Sequence, residues 1–149
     1  MCDKSRQSSR RHGFTLMEVM LVLVILVIIG GVAGVAVVQM QRNAEVQAAK
    51  AQVLGFKGAL VSYRMNIGDF PTSSDGLQAL RTVPSGLANP SKWLGPYFDT
   101  EIPVDPWGNE YRYEYPGKHQ NDLPDIWSLG PDQKDGTDDD IGNWVTTKE

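Results

Sequence analysis

The sequence predicts an α+β fold: one long N-terminal helix packed against a small antiparallel sheet. Three observations carry that reading. Residues 14–66 contain no proline and pass from an unbroken apolar run into an amphipathic pattern. The stretch EYRYEY (110–115) alternates tyrosine with charge at the period of a strand. Turn-forming Gly, Pro, Asp and Asn recur throughout the chain beyond residue 67. With 149 residues there is room for one modest domain plus an additional element.

The first element begins at Phe14. FTLMEVMLVLVILVIIGGVAGVAVV (14–38) is 25 residues whose only charge is Glu18. As a helix it would be about 37 Å long, enough to cross a bilayer core of about 30 Å. Lys4, Arg6, Arg10 and Arg11 precede it against a lone Asp3, so residues 1–13 carry +3 and the rest of a chain of net charge −4 carries −7. By the positive-inside rule the basic end is cytoplasmic and the remainder faces outward. An acidic body with a short basic head argues against nucleic-acid binding, which needs a basic face.

Three readings compete for such a start. A secretory signal peptide has an apolar core of about 7–15 residues before a small-residue cleavage site. This run is longer, and its apolar pattern continues past Ala33–Gly34. A plain signal anchor fits the length but leaves Glu18 unexplained, and a carboxylate within a span is a functional-site candidate by default. The third reading is a leader cut ahead of the apolar run, which is then retained. Cys2 is the only cysteine, so there is no internal disulfide. With no apolar stretch before it, Cys2 does not read as a lipid-acylation site either.

GFTLMEVMLVLVILVII (13–29) resembles the prepilin signature of type IV pilins and type II secretion pseudopilins. The resemblance implies that a prepilin peptidase removes residues 1–13 as a leader, cuts between Gly13 and Phe14, and N-methylates Phe14. Glu18 then occupies the fifth mature position. Cleavage would create an ammonium at Phe14, one helical turn from Glu18 and on the same face. Pairing of Glu18 with its own or a neighbour's amine would set the stagger between subunits, which makes Glu18 an assembly-register device. Many relatives carry a proline at the twenty-second mature position, which here is Val35. Any local melting must then rely on Gly30, Gly31 and Gly34. These glycines also leave open two helices broken there, since glycine costs helix stability, and equally they suit close helix approach in a membrane.

Beyond Val38, residues 39–66 place Val46, Ala49, Val53, Phe56, Leu60 and Tyr63 at spacings of three and four, an apolar stripe on one helical face. The expectation is a single helix, membrane-embedded over 14–38 and amphipathic over 39–66. Gly68 and Pro71 end it, and 67–149 form a globular domain beyond the membrane. PTSSDGLQALRTVP (71–84) offers Ser73, Ser74 or Asp75 as the N-cap of a short helix carrying Leu77, Leu80 and Val83. DPWGN (105–109) reads as a turn. Tyr111, Tyr113 and Tyr115 line one face of a half-buried strand, with a partner strand over Asp125–Leu129.

FPTSSDGLQAL, WLGPYF, DPWGNEYRY, DIWSLGPD and DDDIGNW, taken with the N-terminal signature, resemble the successive motifs of the major pseudopilins of type II secretion, the G subunits, over residues 13–144. This implies a pilin-like fold with a C-terminal calcium-binding loop. The residues themselves permit that and also a solvated acidic turn. Asp132, Asp135, Asp138, Asp139 and Asp140 fall within nine residues, and hard oxygens suit Ca²⁺. There is no Cys cluster or His pair for zinc. An EF-hand fails as well: with Gly136 sixth, the loop would end on Gly142, where a bidentate glutamate is needed. The resemblance implies one calcium held by the side chains of Asp132, Asp139 and Asp140 and the main-chain carbonyls of Leu129, Lys134 and Thr137. Asp135 and Asp138 are expected to be solvated or to stand behind the ligands.

The function implied is structural: a subunit that polymerises through its N-terminal helix into a pseudopilus driving folded proteins across the outer membrane. The implied partners are other copies of itself, minor pseudopilins, prepilin peptidase, the inner-membrane assembly platform with its ATPase, and membrane lipid before assembly. The implied location is the inner membrane, single-pass, with the N-terminus cytoplasmic and the C-terminal domain periplasmic. A type IV pilin or minor pseudopilin serving adhesion, motility or DNA uptake is the alternative, and the acidic loop and DPWG segment argue against it. A membrane-anchored enzyme is the reading from another class. His12 lies in the leader, His119 stands alone beside Gly117-Lys118, and Ser128 lacks a Gly-x-Ser-x-Gly context. Nor is there a phosphate-cradling glycine loop followed by Lys-Ser/Thr. Trp93, Trp107, Trp127 and Trp144 read as core and loop packing.

Overall fold

The computed structural model describes residues 13–144, with 32–35 described by their backbone alone. The bases Lys4, Arg6, Arg10 and Arg11, together with Cys2 and His12, lie outside the described residues. The chain divides into two compact units between Gln41 and Arg42.

In the first unit, helix α1 (Leu16–Ile67) takes its start from Thr15. The Glu18 amide donates to Thr15 Oγ1 at 3.2 Å and to the Thr15 carbonyl at 3.1 Å. Thr followed three residues later by Glu is the capping-box spacing, and Glu18 lies in the first turn, where a negative charge complements the helix dipole. The helical backbone runs on through Gly30, Gly31 and residues 32–35, so there is no break at the glycines. Every large apolar side chain from Phe14 to Ile29 is exposed. Among its described residues the unit has no buried core, as a segment that packs against lipid or other helices requires.

In the second unit, α1 turns Ala49, Val53, Phe56, Leu60 and Tyr63 into the core, with Val46 half-buried above them. The Phe56 ring meets Phe98 and Tyr111, each at 5.1 Å between centroids. Burying a side chain of this size contributes about 1.5–3 kcal/mol, so packing rather than intrinsic propensity secures this half of the helix. At its end Gly68 adopts φ 106° and its amide donates to the Arg64 carbonyl at 2.8 Å, a left-handed cap.

The segment that follows is clasped by tyrosines. The Tyr113 hydroxyl donates to the Pro71 carbonyl and the Tyr115 hydroxyl to Asp69 Oδ1, both at 2.8 Å. The expected short helix is a five-residue 3₁₀ turn, Gly76–Leu80. Asp75 holds the cap position without a side-chain capping bond; its Oδ2 accepts the Thr72 hydroxyl instead. Because Gly76 sits at φ 60° and the turn stops at Leu80, Leu77 and Leu80 are buried while Val83 stays 44% exposed. That corrects the expected apolar triplet. Tight 3₁₀ geometry does not propagate far enough to bring a third residue round to the core.

The sheet has three antiparallel strands in the order β1 (Arg112–Glu114), β2 (Asp125–Ser128), β3 (Ile141–Gly142). Tyr113 faces Ile126 across the first pair and Ser128 faces Ile141 across the second. The first strand matches the alternation in the sequence, the second lies within the expected partner segment Asp125–Leu129, and β3 adds a third that no periodicity announced. DPWGN forms its turn: Gly108 lies at φ 91°, and Asp105 Oδ1 accepts the Trp107 and Asn109 amides at 3.1 and 2.7 Å.

Burial pushes the Tyr111 phenol up to about 12, with the Asp105 charge adding to it, and burial likewise pushes Tyr113 up. The folded state therefore favours the neutral phenols. The stabilisation from Tyr111 is complete below the unfolded value of 10.0 and is lost as pH rises through about 12. The thermal midpoint should hold up to about pH 10 and fall above it, and Tyr111→Phe should fall less steeply. Tryptophan-fluorescence melts at graded pH check this; parallel curves for both proteins would remove the tyrosine as the cause.

Candidate processing motif and cation loop

Gly13, Phe14 and Thr15 lie in irregular backbone directly ahead of α1. Phe14 is 83% exposed, and nothing lies within 4 Å of where a side chain would stand at Gly13. Among the described residues the Gly13–Phe14 bond is thus open backbone at a helix boundary. Glu18 lies in the first turn beyond it and is exposed. The threonine cap on the Glu18 amide is legible in the sequence as Thr-x-x-Glu.

The acidic loop is knotted by its own hydrogen bonds. Asp132 Oδ1 accepts the Lys134 amide at 3.0 Å and the Thr137 hydroxyl at 3.3 Å. Asp140 Oδ2 accepts the Gly136 amide at 2.8 Å, and the Asp140 amide donates to the Thr137 carbonyl at 3.2 Å. Asp132, Lys134, Thr137 and Asp140 are thereby brought together. Leu129 is buried at the head of the loop. Asp139 enters by its main chain: its carbonyl lies against Gly130, at φ 68°, so closely that a Cβ there would overlap it. The Asp139 carboxylate is exposed. Among the described residues no three acidic, thiol or imidazole groups converge as a metal would demand; loop amides take up the carboxylates instead.

One atom is left over. Asp140 Oδ1 is buried and has no hydrogen-bond partner. Burial pushes the Asp140 carboxyl up, the Gly136 and Thr137 amides pull it down, and the charges of Asp135 and Asp132 push it up again. A buried oxygen without a donor, among repelling carboxylates, is what a cation would satisfy. The surrounding donors are hard oxygens, which fit calcium.

The neighbouring groups are occupied otherwise. Asp135 Oδ1 accepts the Trp127 indole N–H at 2.9 Å, which ties it to β2 rather than leaving it merely solvated. The Ser128 hydroxyl donates to Asp105 Oδ2 at 2.6 Å, whereas the His119 Nδ1 lies 2.9 Å from Asp125 Oδ2. The His119 ring stacks on Trp144 at 3.8 Å. Serine and histidine thus engage different carboxylates, and the tryptophans serve as packing and loop anchors. The Asp105–Ser128 bond joins residues 23 apart in the chain, and no local pattern could have disclosed it.

Two family models match. Residues 36–144 match the family described as type II secretion system (T2SS), protein G, and residues 8–34 match the prokaryotic N-terminal methylation motif. A type II secretion system core protein G from Pectobacterium carotovorum subsp. carotovorum is 36% identical over 140 residues, 94% of this chain and 88% of that protein. Its counterpart from Pseudomonas aeruginosa is 38% identical over 141 residues, covering 93% of this chain and 98% of that one. Among solved structures, the major pseudopilin from the type 2 secretion system of enterohaemorrhagic Escherichia coli aligns with TM-score 0.62 and 31% identity, over 73% of this chain and 94% of that chain.

The contact at Gly130 makes a local prediction. Gly130→Ala forces a Cβ onto the Asp139 carbonyl and an L-residue into left-handed backbone, and should cost roughly 1–3 kcal/mol. Gly86→Ala, where the space is open, should change little. Denaturant melts of the two variants compare them, and equal midpoints would refute the strain.

Proposed function

This chain belongs to the type II secretion system protein G family, and from that premise we propose how its two carboxylate sites serve assembly. It is a major pseudopilin, a structural subunit of the secretion apparatus and not an enzyme. It is a single-pass protein of the inner membrane. In our reading, prepilin peptidase removes residues 1–13 between Gly13 and Phe14 and methylates Phe14. The Phe14 ammonium then pairs with Glu18 of its own or an adjacent subunit, and the pairing sets the stagger as helices leave the lipid and join the filament. The N-terminus begins on the cytoplasmic side and the domain from residue 67 onward lies in the periplasm. Minor pseudopilins and the inner-membrane assembly platform are its partners, and the growing pseudopilus drives folded proteins across the outer membrane. The observation that carries this reading is the methylation motif at 8–34 with Glu18 as the one charge in the apolar run that follows Gly13.

In the same reading the loop holds one Ca²⁺ through the side chains of Asp132, Asp139 and Asp140 and the carbonyls of Leu129, Lys134 and Thr137. The partnerless, buried Oδ1 of Asp140 supports it. When bound, the ion supplies positive charge that turns mutually repelling carboxylates into a cross-link, so loop order and calcium binding are coupled. Asp132 and Asp140 are already held near their places by loop amides, which limits the ordering that binding must accomplish.

Mass spectrometry of the mature chain should find a methylated Phe14 at the N-terminus; an intact Met1 would contradict the processing. Glu18→Leu should still be processed but should assemble poorly beside wild type, and normal assembly would remove the register role. For the loop, the full chain in detergent should melt at lower temperature in excess chelator than in calcium. Saturation a hundredfold above Kd is worth about 2.7 kcal/mol. Identical melts in the two conditions would remove the calcium site.

A further inference from the structure

Asp105 stands in the DPWGN turn and is buried, 3% exposed. Its Oδ1 accepts the two amides of its own turn, and its Oδ2 accepts the Ser128 hydroxyl at 2.6 Å. Ser128 ends β2, is fully buried, and its oxygen in turn accepts the Gly130 amide at 3.1 Å. A serine hydroxyl has one proton, and a carboxylate can only accept. Asp105 therefore fixes where that proton goes and leaves the Ser128 lone pairs facing Gly130.

The consequence falls on the next carbonyl. The Gly130 N–H and the Leu129 C=O belong to one planar trans peptide and point in opposite directions. Holding the amide on Ser128 aims the carbonyl away from it. The Asp139 carbonyl packed against Gly130 closes the other side of the same unit. We propose that Asp105 and Ser128 are positioning residues for the cation loop: through the Gly130 amide they set the direction of the Leu129 carbonyl and so tune calcium affinity. This rests on the calcium reading of the loop above. It also gives the DPWGN turn a role that its position, far from the loop in sequence, does not suggest. An asparagine at 105 would turn a donor toward Ser128, so the hydroxyl proton would lose its acceptor, reorient, and hold the Gly130 amide less firmly.

Calcium titration calorimetry and melting with and without calcium, on the full chain in detergent, test it. Ser128→Ala should bind calcium about 10–100-fold more weakly, the usual effect of removing support behind a metal ligand, and should show a smaller calcium-induced rise in melting temperature. Asp105→Asn keeps an acceptor for the Trp107 and Asn109 amides and should move the same way; it carries the test if Ser128→Ala does not fold. A purely architectural role would lower the melting temperature equally in calcium and in chelator and leave affinity unchanged, which would overturn the proposal. Wild-type binding with unchanged variants defeats this inference alone. A wild type that takes up no calcium defeats the calcium reading and this inference together.

Discussion

A carboxylate removed from water must find donors or a cation, and that demand falls on Glu18 once the apolar run lies in lipid and on the buried oxygen of Asp140 in the acidic loop. Taking an ion out of water costs several kcal/mol even after relaxation. At the helix start, the dipole returns only about 0.3–1 kcal/mol to Glu18. Thr15 caps the Glu18 amide, which fixes where α1 begins, but that bond does nothing for the carboxylate itself. The comparison of magnitudes is why an ammonium is the natural partner once the apolar run lies in lipid. In the loop, amides satisfy one oxygen of Asp140 and leave the other bare. The two sites differ in ligand but share one electrostatic problem.

The rest of the fold holds these groups in place with two different surfaces of a single helix. Its first half exposes every large apolar side chain among the described residues, a surface for lipid or other subunits to cover. Its second half commits one stripe to a domain core built around Phe56, Leu60 and Tyr63. The tyrosines of β1 and the residues beyond it reach back to the segment leaving α1, so helix end and sheet edge are fastened by Tyr113 and Tyr115. On the far side of the sheet, Asn143 bonds the Ile126 amide and the Pro124 carbonyl, which secures the exit of the acidic loop. A loop pinned at both ends, with no disulfide in it, leaves charge as the means of cross-linking its middle.

What could be read in the sequence followed the range of the physics involved. The helix and its core stripe rest on periodicity within a few turns, and Ala49, Val53, Phe56, Leu60 and Tyr63 are all buried as the spacing requires. The first strand comes from local alternation, and the second follows as the partner it requires. β3 is two residues long, and its pairing depends on β2 rather than on any pattern of its own. Val83 stays outside the core because the expected α-helix is a 3₁₀ turn that stops at Leu80. Of the proposed loop ligands, the aspartates are visible as chemistry in the sequence, whereas the carbonyls follow only from resemblance. The bond from Asp105 to Ser128 is a tertiary contact and has no local signature.

In the proposed reading a metal cation completes the bare oxygen of Asp140. The most direct measurement is elemental analysis of the purified chain after gel filtration in calcium-containing buffer. The account predicts one calcium retained per chain, and loss of that calcium in Asp140→Asn. A wild-type chain that retains none, or an Asp140→Asn chain that retains as much as wild type, would contradict it.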